Sequence, residues 1–323
     1  MPETTTLLDE LAWRGLLHQQ TEGLAKHIAS GARVAYCGFD PTAPSLHIGN
    51  LVPTMLLVHL ARAGHRCIAL VGGGTAMIGD PSGRSAERPL LSPAEIDDNA
   101  TRIRDQLDRV FRAANTAGVT MANNAEWLRE VRMIDFMRDV GKHFSVNFML
   151  AKDSVQSRLA DGISYTEFSY MLLQAYDFLE LLRRDGVTVQ VGGSDQWGNL
   201  TAGVELVRRS AATEAHAFTA PLVTTSSGKK FGKTEGGAVW LDPAMTSPYK
   251  FYQFWINVDD ADAGRYLRMF TFSDRATLES IDAEHAVAPH ERRAQRRLAA
   301  EMTTMLHGAE VMQVVAEASR IVF

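Results

Sequence analysis

Two short stretches of this sequence hold side chains suited to phosphate chemistry. His47-Ile48-Gly49-Asn50 falls between a strand-like run and a helix-like run. A helix N-terminus carries unpaired N–H groups and partial positive charge, so it suits an anion. Gly49 lets a ligand approach the backbone, and His47 has a ring N–H to give to a phosphate oxygen. No GxGxxG follows the strand, so this is not a dinucleotide fingerprint. Lys229-Lys230-Phe231-Gly232-Lys233-Thr234 places two lysines three apart in a glycine-rich loop, where both could reach one polyanion. It lacks the spacing of a P-loop. Alone, the first stretch reads equally as a turn before a helix, and the second as a solvated loop.

A third set of residues lies on one helix. Tyr170, Gln174 and Asp177 are spaced i, i+4 and i+7, so they share a face. Met171, Leu172, Leu173, Phe178, Leu179, Leu181 and Leu182 make the rest of that helix apolar. A polar stripe on such a helix faces either solvent or a ligand.

The elements that position these groups follow from periodicity and punctuation. Residues 33–39 and 66–71 read as buried strands, with a helix over 50–63 between them that has Pro53 in its first turn and Gly64 at its stop. Strand, helix, strand is a βαβ unit and implies a parallel sheet. Ser92-Pro93-Ala94-Glu95 is a capping box, followed by an apolar stripe from Ile96 to Phe111. Residues 118–122 read as a strand and 132–160 as helical. Ser164-Tyr165-Thr166-Glu167 is a second capping box, opening a helix that Gly186 ends. Residues 187–191 read as a strand and 221–225 as a last apolar strand. From Ser247-Pro248 onward the pattern is helical. The expected organisation is an α/β domain over residues 1–222, then the Lys/Gly loop and a helical domain over 223–323.

Together the first two stretches resemble the paired signatures of class I aminoacyl-tRNA synthetases. The blocks YCGFDPTAPSLHIGN (36–50), GGGTAMIGDPSGRSAER (72–88), SYTEFSYMLLQAYDF (164–178) and QVGGSDQWGN (190–199) resemble the bacterial tyrosyl enzymes of that class, in the right order. The resemblance runs from about residue 8 to the end. It implies a Rossmann-like parallel-sheet domain, activation of tyrosine by ATP and transfer to tRNA(Tyr). Tyr170 and Gln174 would hold the ammonium group of the amino acid, with Asp80 adding a carboxylate. Asp177 and Tyr36 would meet its phenol, and Thr75, Gln190 and Gln196 would line the same pocket. Gly38, Asp40, His47, Gly49, Asn50, Gly192 and Asp195 would hold ATP, with Leu222 and Val223 flanking the adenine. Thr42, His47, Arg84, Arg88, Lys230, Lys233 and Thr234 would stabilise charge on the reacting phosphates, and Phe231 and Gly232 belong to the same ATP loop. Mg²⁺ is expected with ATP, although no dedicated cage of carboxylates is evident.

There are departures from the family pattern. Asn50 ends the first signature where many class I enzymes have His, and Arg84 stands where relatives often have Lys. The chain stops at Phe323, ahead of the small RNA-binding module of bacterial relatives, so it reads as cut at a domain boundary and as a weak partner for tRNA. Arg292, Arg293, Arg296 and Arg297 could touch tRNA or form a solvated face. The competing readings are a tryptophanyl-tRNA synthetase, against which the Tyr36–Asp177 pair argues, and a catalytically silent RNA-binding relative, against which the intact signatures argue.

Composition sets the outer bounds. The 323 residues are 46% hydrophobic, enough for a substantial core. Net charge is −5, which argues against a protein coated in basic residues for nonspecific nucleic-acid binding and leaves a local basic patch open. The acidic N-terminus has no apolar segment of a secretory signal, and no long apolar run spans a membrane. Cys37 and Cys67 form no CxxC pair, so neither a disulfide framework nor a structural zinc site is expected, in keeping with a cytoplasmic protein. Met133, Ile134, Phe136, Met137, Phe144, Val146, Phe148 and Met149, within an insertion at about 121–160, exceed the apolar face that one half-buried helix needs. A self-complementary patch, and therefore a homodimer, is expected.

Overall fold

The computed structural model describes residues 6–82, 90–159, 162–229, 231–234 and 237–322. Along the chain come α1 (Leu7–Trp13), β1 (Gln19–Gln20), α2 (Leu24–Ala29), β2 (Val34–Phe39), α3 (Leu51–Arg62), β3 (Arg66–Val71), α4 (Pro93–Ala113) and β4 (Val119–Asn123). Then follow α5 (Ala125–Leu128), α6 (Met133–Asp139), α7 (Val146–Leu150), α8 (Asp153–Leu159), α9 (Tyr165–Asp185), β5 (Val189–Gly193), α10 (Trp197–Ala211) and β6 (His216–Ala220). The small hairpin β7 (Lys233–Thr234) and β8 (Gly237–Ala238) leads into α11 (Pro248–Ile256), α12 (Asp260–Phe270), α13 (Arg275–Val287), α14 (Arg293–His307) and α15 (Ala309–Val322).

Six strands form one sheet in the order β1-β6-β5-β2-β3-β4. The five longer strands are parallel, and β1 is antiparallel to β6 at the edge. The pleat explains why these strands read as continuous apolar runs. Ala35, Cys37, Phe39, Cys67 and Ala69 enter the cluster formed with α3 and the C-terminal helices, whereas Tyr36, Ile68 and Leu70 enter the one formed with α9 and α10. Alternate residues thus bury on opposite faces, as a parallel sheet covered on both sides requires. The C-terminal helices share the first cluster: Trp255, Phe270, Leu298 and Met302 belong to it with Met55 and Leu57 of α3.

Local signals act as chemistry predicts. Ser92 Oγ accepts from the Glu95 N–H while the Glu95 carboxylate accepts from the Ser92 N–H at 2.8 Å. Ser164 caps α9, and Gly186, at φ 71°, ends it. Ser247 caps α11 with Pro248 at its first position.

Two expectations need correction. Residues 221–225 are not a strand; the last long strand is β6, ending at Ala220. Pro221 has no N–H to give a ladder, and the buried residues precede it. The stretch 132–160 is not one helix but α6, a 3₁₀ turn at Gly141–His143, α7 and α8. Ser145 caps a new helix at α7 by accepting from the Phe148 N–H, which ends any continuation from α6. Among the described residues no helix is long and apolar enough to cross a membrane.

Candidate active site

β2 has β3 on one side and β5 on the other, so the strand order reverses between β2 and β5. Open α/β sheets bind ligands at that crevice, beyond the carboxyl ends of the strands. A cleft of about 800 Å³ lies there. It is lined by Tyr36, Gly38, Asp40, Thr42, His47, Gly49, Asn50, Thr75, Asp80, Tyr170, Gln174, Asp177, Gln190, Gly192, Asp195, Gln196, Leu222, Val223 and Phe231. Side chains from β2, β3, α9, β5, and the loops after them therefore converge on one space.

The floor of the cleft is a register pair. Tyr36 of β2 and Gln190 of β5 are Cα partners across the reversal, and both are 1% exposed. Both end in a buried polar atom without a partner, Tyr36 Oη and Gln190 Oε1. Such a group costs roughly 1–3 kcal/mol when left unsatisfied, so a pair of them in a cleft marks where a polar ligand belongs. Gly203 of α10 makes room: a Cβ there would stand 3.1 Å from Gln190 Oε1.

Asp177 lies beside Tyr36, buried at 2% exposure. Its carboxylate accepts from Asn124 Nδ2 at 2.9 Å and from Trp127 Nε1 at 2.7 Å. Burial pushes its carboxyl up to about 8 against the pull of those two hydrogen bonds. Burial, and then the Asp177 charge, holds the Tyr36 phenol well above its ordinary value, so that hydroxyl keeps its proton.

The polar stripe of α9 continues upward. Tyr170 Oη donates to Asp40 Oδ2 at 2.7 Å, and Thr75 Oγ1 donates to Asp40 Oδ1 at 2.7 Å. Asn124 Nδ2 also donates to Thr75 Oγ1, which joins Asp40 to Asp177 through two side chains. Because Tyr170 gives its proton to Asp40, its oxygen lone pairs remain for a cation. Burial first, then Asp40 and Asp80, hold this phenol well above its usual range. Asp80 accepts from Gln196 Nε2 at 2.6 Å, and Gln174 Oε1 accepts from Asn199 Nδ2 at 3.0 Å.

The two signatures meet. Gly49 N–H donates to His47 Nδ1 at 3.1 Å, and His47 N–H donates to Asn50 Oδ1 at 3.0 Å, so the stretch is a self-capped 3₁₀ turn ahead of α3. A Cβ on Gly49 would come within 2.8 Å of the His47 ring, which explains the glycine sterically. From the distant loop, Gly232 (φ +79°) packs so closely that a Cβ would lie 2.8 Å from Ile48 Cγ1. Ile48 N–H donates to Val239 O, and His47 bridges Trp240. The Phe231 ring stacks on Phe270 at 5.3 Å and touches Trp255 and Tyr266, pinning one end of the loop to α11 and α12. Lys233 and Thr234 form β7. Arg84, Arg88 and Lys230, expected on phosphate, lie outside the described residues.

The family model for tRNA synthetases class I (W and Y) matches residues 30–323. The tyrosine–tRNA ligase of Anaeromyxobacter dehalogenans is 55% identical over 317 residues, which cover 98% of this chain and 76% of that protein. Tyrosine–tRNA ligase 1 of Bacillus subtilis is 52% identical, over 99% of this chain and 77% of that one. The chain belongs to the tyrosine–tRNA ligase family. It spans about three quarters of the length of these relatives. A C-terminally truncated mitochondrial tyrosyl-tRNA synthetase of Aspergillus nidulans superposes with a TM-score of 0.91 at 31% identity, covering 100% of this chain and 95% of that one. A tryptophanyl-tRNA synthetase of Plasmodium falciparum shares the fold, with a TM-score of 0.65 at 12% identity over 96% of this chain and 84% of that one.

In this member of the tyrosine–tRNA ligase family, three supporting residues escaped the reading of the sequence. Asn124 and Trp127 hold Asp177, and Asn199 holds Gln174 and Gln196, the latter at 3.3 Å. One signal was available: Asn124 directly follows β4, at the carboxyl end of a parallel strand, where site residues gather.

Proposed function

We propose that this chain activates L-tyrosine with ATP, forming tyrosyl-adenylate and pyrophosphate, and transfers tyrosine to tRNA(Tyr). The observation that carries the reading is the orphaned Tyr36 hydroxyl beside buried Asp177 at the floor of the cleft. A phenol satisfies both, donating to Asp177 and accepting from Tyr36. Phenylalanine leaves the Tyr36 hydroxyl without a partner and Asp177 with only its Asn124 and Trp127 donors, the kind of selectivity for which tyrosyl-tRNA synthetases are the standard example. An indole N–H could meet Asp177 but offers no oxygen to Tyr36.

The remaining lining is assigned by chemistry. Tyr170, Gln174 and Asp80 receive the ammonium group, and Thr75, Gln190 and Gln196 close the amino-acid pocket. ATP lies over Gly38, Gly49 and Gly192, where side chains are missing, with Asp40, Asn50 and Asp195 as polar partners and Leu222 and Val223 against the adenine. One oxygen of the tyrosine carboxylate attacks the α-phosphorus, a P–O bond forms, and the bond to pyrophosphate breaks with its electron pair leaving on oxygen. The substrate supplies its own nucleophile, so catalysis is positioning and charge stabilisation. Thr42 and His47 do this from one side. Lys230, Lys233 and Thr234, with Phe231 and Gly232 in their loop, do it from the other, helped by Arg84 and Arg88. A terminal ribose hydroxyl of tRNA then attacks the tyrosyl carbonyl and AMP leaves.

Mg²⁺ accompanies ATP in this reading. The clustered metal-ligand set among the described residues, His27, Glu214 and His216, does not line the cleft, so the ion would be carried mainly by the phosphates. Met133 (70% exposed), Ile134 (75%) and Val146 (61%) support a homodimer, because these large apolar side chains of the insertion stand unburied in the single chain. Two free, buried cysteines suit the cytoplasm. Amino-acid-dependent exchange of pyrophosphate into ATP tests the reading: exchange with tyrosine, and far less with tryptophan or phenylalanine, is expected. Exchange supported equally by all three would overturn it.

A further inference from the structure

At the opposite end of the sheet from the cleft, two histidines and a carboxylate converge. His27 lies on α2, Glu214 just ahead of β6, and His216 opens that strand. One potential ligand atom from each falls within 4.8 Å of the others. The two imidazole rings stand 4.6 Å apart. Five residues of β6, at about 3.3 Å each, separate this cluster from the cleft end of the strand.

The hydrogen bonds leave each ring one nitrogen for a metal. His27 Nε2 meets Thr188 Oγ1 at 2.9 Å, and His216 Nδ1 meets Thr21 Oγ1 at 3.3 Å. Thr21 is itself anchored, since its oxygen accepts from the Ala217 N–H at 3.1 Å. Metal-bound histidines are typically oriented this way, with the second ring nitrogen tied to a fixed oxygen. His216 is 2% exposed, and its Nε2 has no hydrogen-bond partner. That nitrogen lies 3.2 Å from Glu214 Oε1 without the geometry of a hydrogen bond. Gly23, at φ +83°, keeps the space clear: a Cβ there would stand 3.1 Å from His216 Cε1 and 3.4 Å from Glu214 Oε1.

We infer that His27, Glu214 and His216 form a binding site for a divalent transition metal, with Zn²⁺ the best match. Two imidazoles and one carboxylate are a borderline donor set, and a water completes a tetrahedron. Ligand atoms on tetrahedral zinc lie about 3.4 Å apart, and exposed Glu214 is free to swing and close the remaining gap. The ion would staple α2 and the neighbouring edge strand β1 to β6. Because it binds the folded chain, it raises thermal stability by mass action.

The test uses the whole chain after treatment with a chelator. Calorimetric titration with Zn²⁺ should show one equivalent bound at micromolar affinity or tighter. Co²⁺ should give the visible absorption of a low-coordinate site, and melting should move to higher temperature. His27→Gln and Glu214→Gln, both at sites with some exposure, should each weaken Zn²⁺ binding by about tenfold or more while far-ultraviolet circular dichroism is unchanged. Pyrophosphate exchange in these variants should match the parent, since the cleft is untouched. No saturable binding up to about 100 μM Zn²⁺, or binding undiminished in both variants, would overturn the assignment.

Discussion

Asp177 and Tyr36 differ in charge, and in the proposed pocket that difference sets what each would be worth to tyrosine. Asp177→Ala removes a buried acceptor and strands the Asn124 and Trp127 donors, so tyrosine affinity should fall by about 2–3 kcal/mol. Tyr36→Phe removes a neutral hydroxyl that has no partner within the protein, so the loss should be about 0.5–1.5 kcal/mol, with the gap between tyrosine and phenylalanine narrowed. Equilibrium binding of both amino acids to each variant checks this; unchanged discrimination in both would refute the pocket assignment. Asp177 also sets a pH dependence. Its carboxyl in the folded chain is raised from 3.8 to about 8, so its contribution to stability is complete at low pH and is lost as pH rises through about 8. In the proposed pocket tyrosine binding would run the other way, because the substrate phenol would donate to the ionised form. Affinity should weaken as pH falls below about 8, by up to roughly tenfold per unit, and Asp177→Asn should flatten the profile. Dissociation constants measured between about pH 6 and pH 8.5 decide it.

The described residues of the loop between Val223 and Trp240 bring the second signature stretch against the first. Phe231 N–H donates to Val223 O at 3.1 Å, its ring stacks in the aromatic cluster of α11 and α12, and Gly232 abuts Ile48. In the proposed reading, an anchored loop beside the phosphates would act on a transition state more than on bound tyrosine. Phe231→Leu, which keeps an apolar side chain but loses the stack, should lower the rate of adenylate formation by about tenfold while tyrosine affinity changes less than about twofold. Single-turnover kinetics with a separate binding titration would distinguish these; equal losses in both would mean that the loop shapes the ground state.

At the scale of the whole molecule, α6 buries no side chain, and Met133 and Ile134 stand out from it. Charge placed there should prevent self-association. The parent chain should sediment as a dimer at micromolar concentration, and Ile134→Glu as a monomer with intact helical content. A parent that stays monomeric would refute the dimer. The arginine stripe of α14 tells against strong tRNA binding by this chain. Arg293 pairs with Glu284 and Glu291, and Arg297 with Glu301, so part of its charge is already neutralised. With net charge −5, the chain should show weak, steeply salt-dependent affinity for tRNA, while pyrophosphate exchange is little affected by the same salt. Filter binding across a salt series measures the first and exchange assays the second.

What could be read without coordinates was local. The caps at Ser92, Ser164 and Ser247, the stop at Gly186, the apolar strands at 33–39 and 66–71 and the i, i+4, i+7 stripe of α9 all depend on residues near one another along the chain. Turn chemistry and periodicity act over that range, so the α/β class and the gathering of its motifs at strand ends were legible. The last long strand was placed at 221–225, just past β6, because apolar character beyond Ala220 outweighed the missing donor of Pro221, and the helical stretch 132–160 was read without its breaks because these depend on weak caps. Which distant side chains touch was decided only by folding. The register of β2 against β5 pairs Tyr36 with Gln190, the carboxyl end of β4 delivers Asn124 to Asp177, and β6 brings His216 to His27. These contacts follow from strand order and from packing across the sheet, which no short window of sequence specifies. The unsatisfied hydroxyl of Tyr36 is therefore a product of tertiary structure: its type was written in the chain, but its lack of a partner arose when the sheet closed around it.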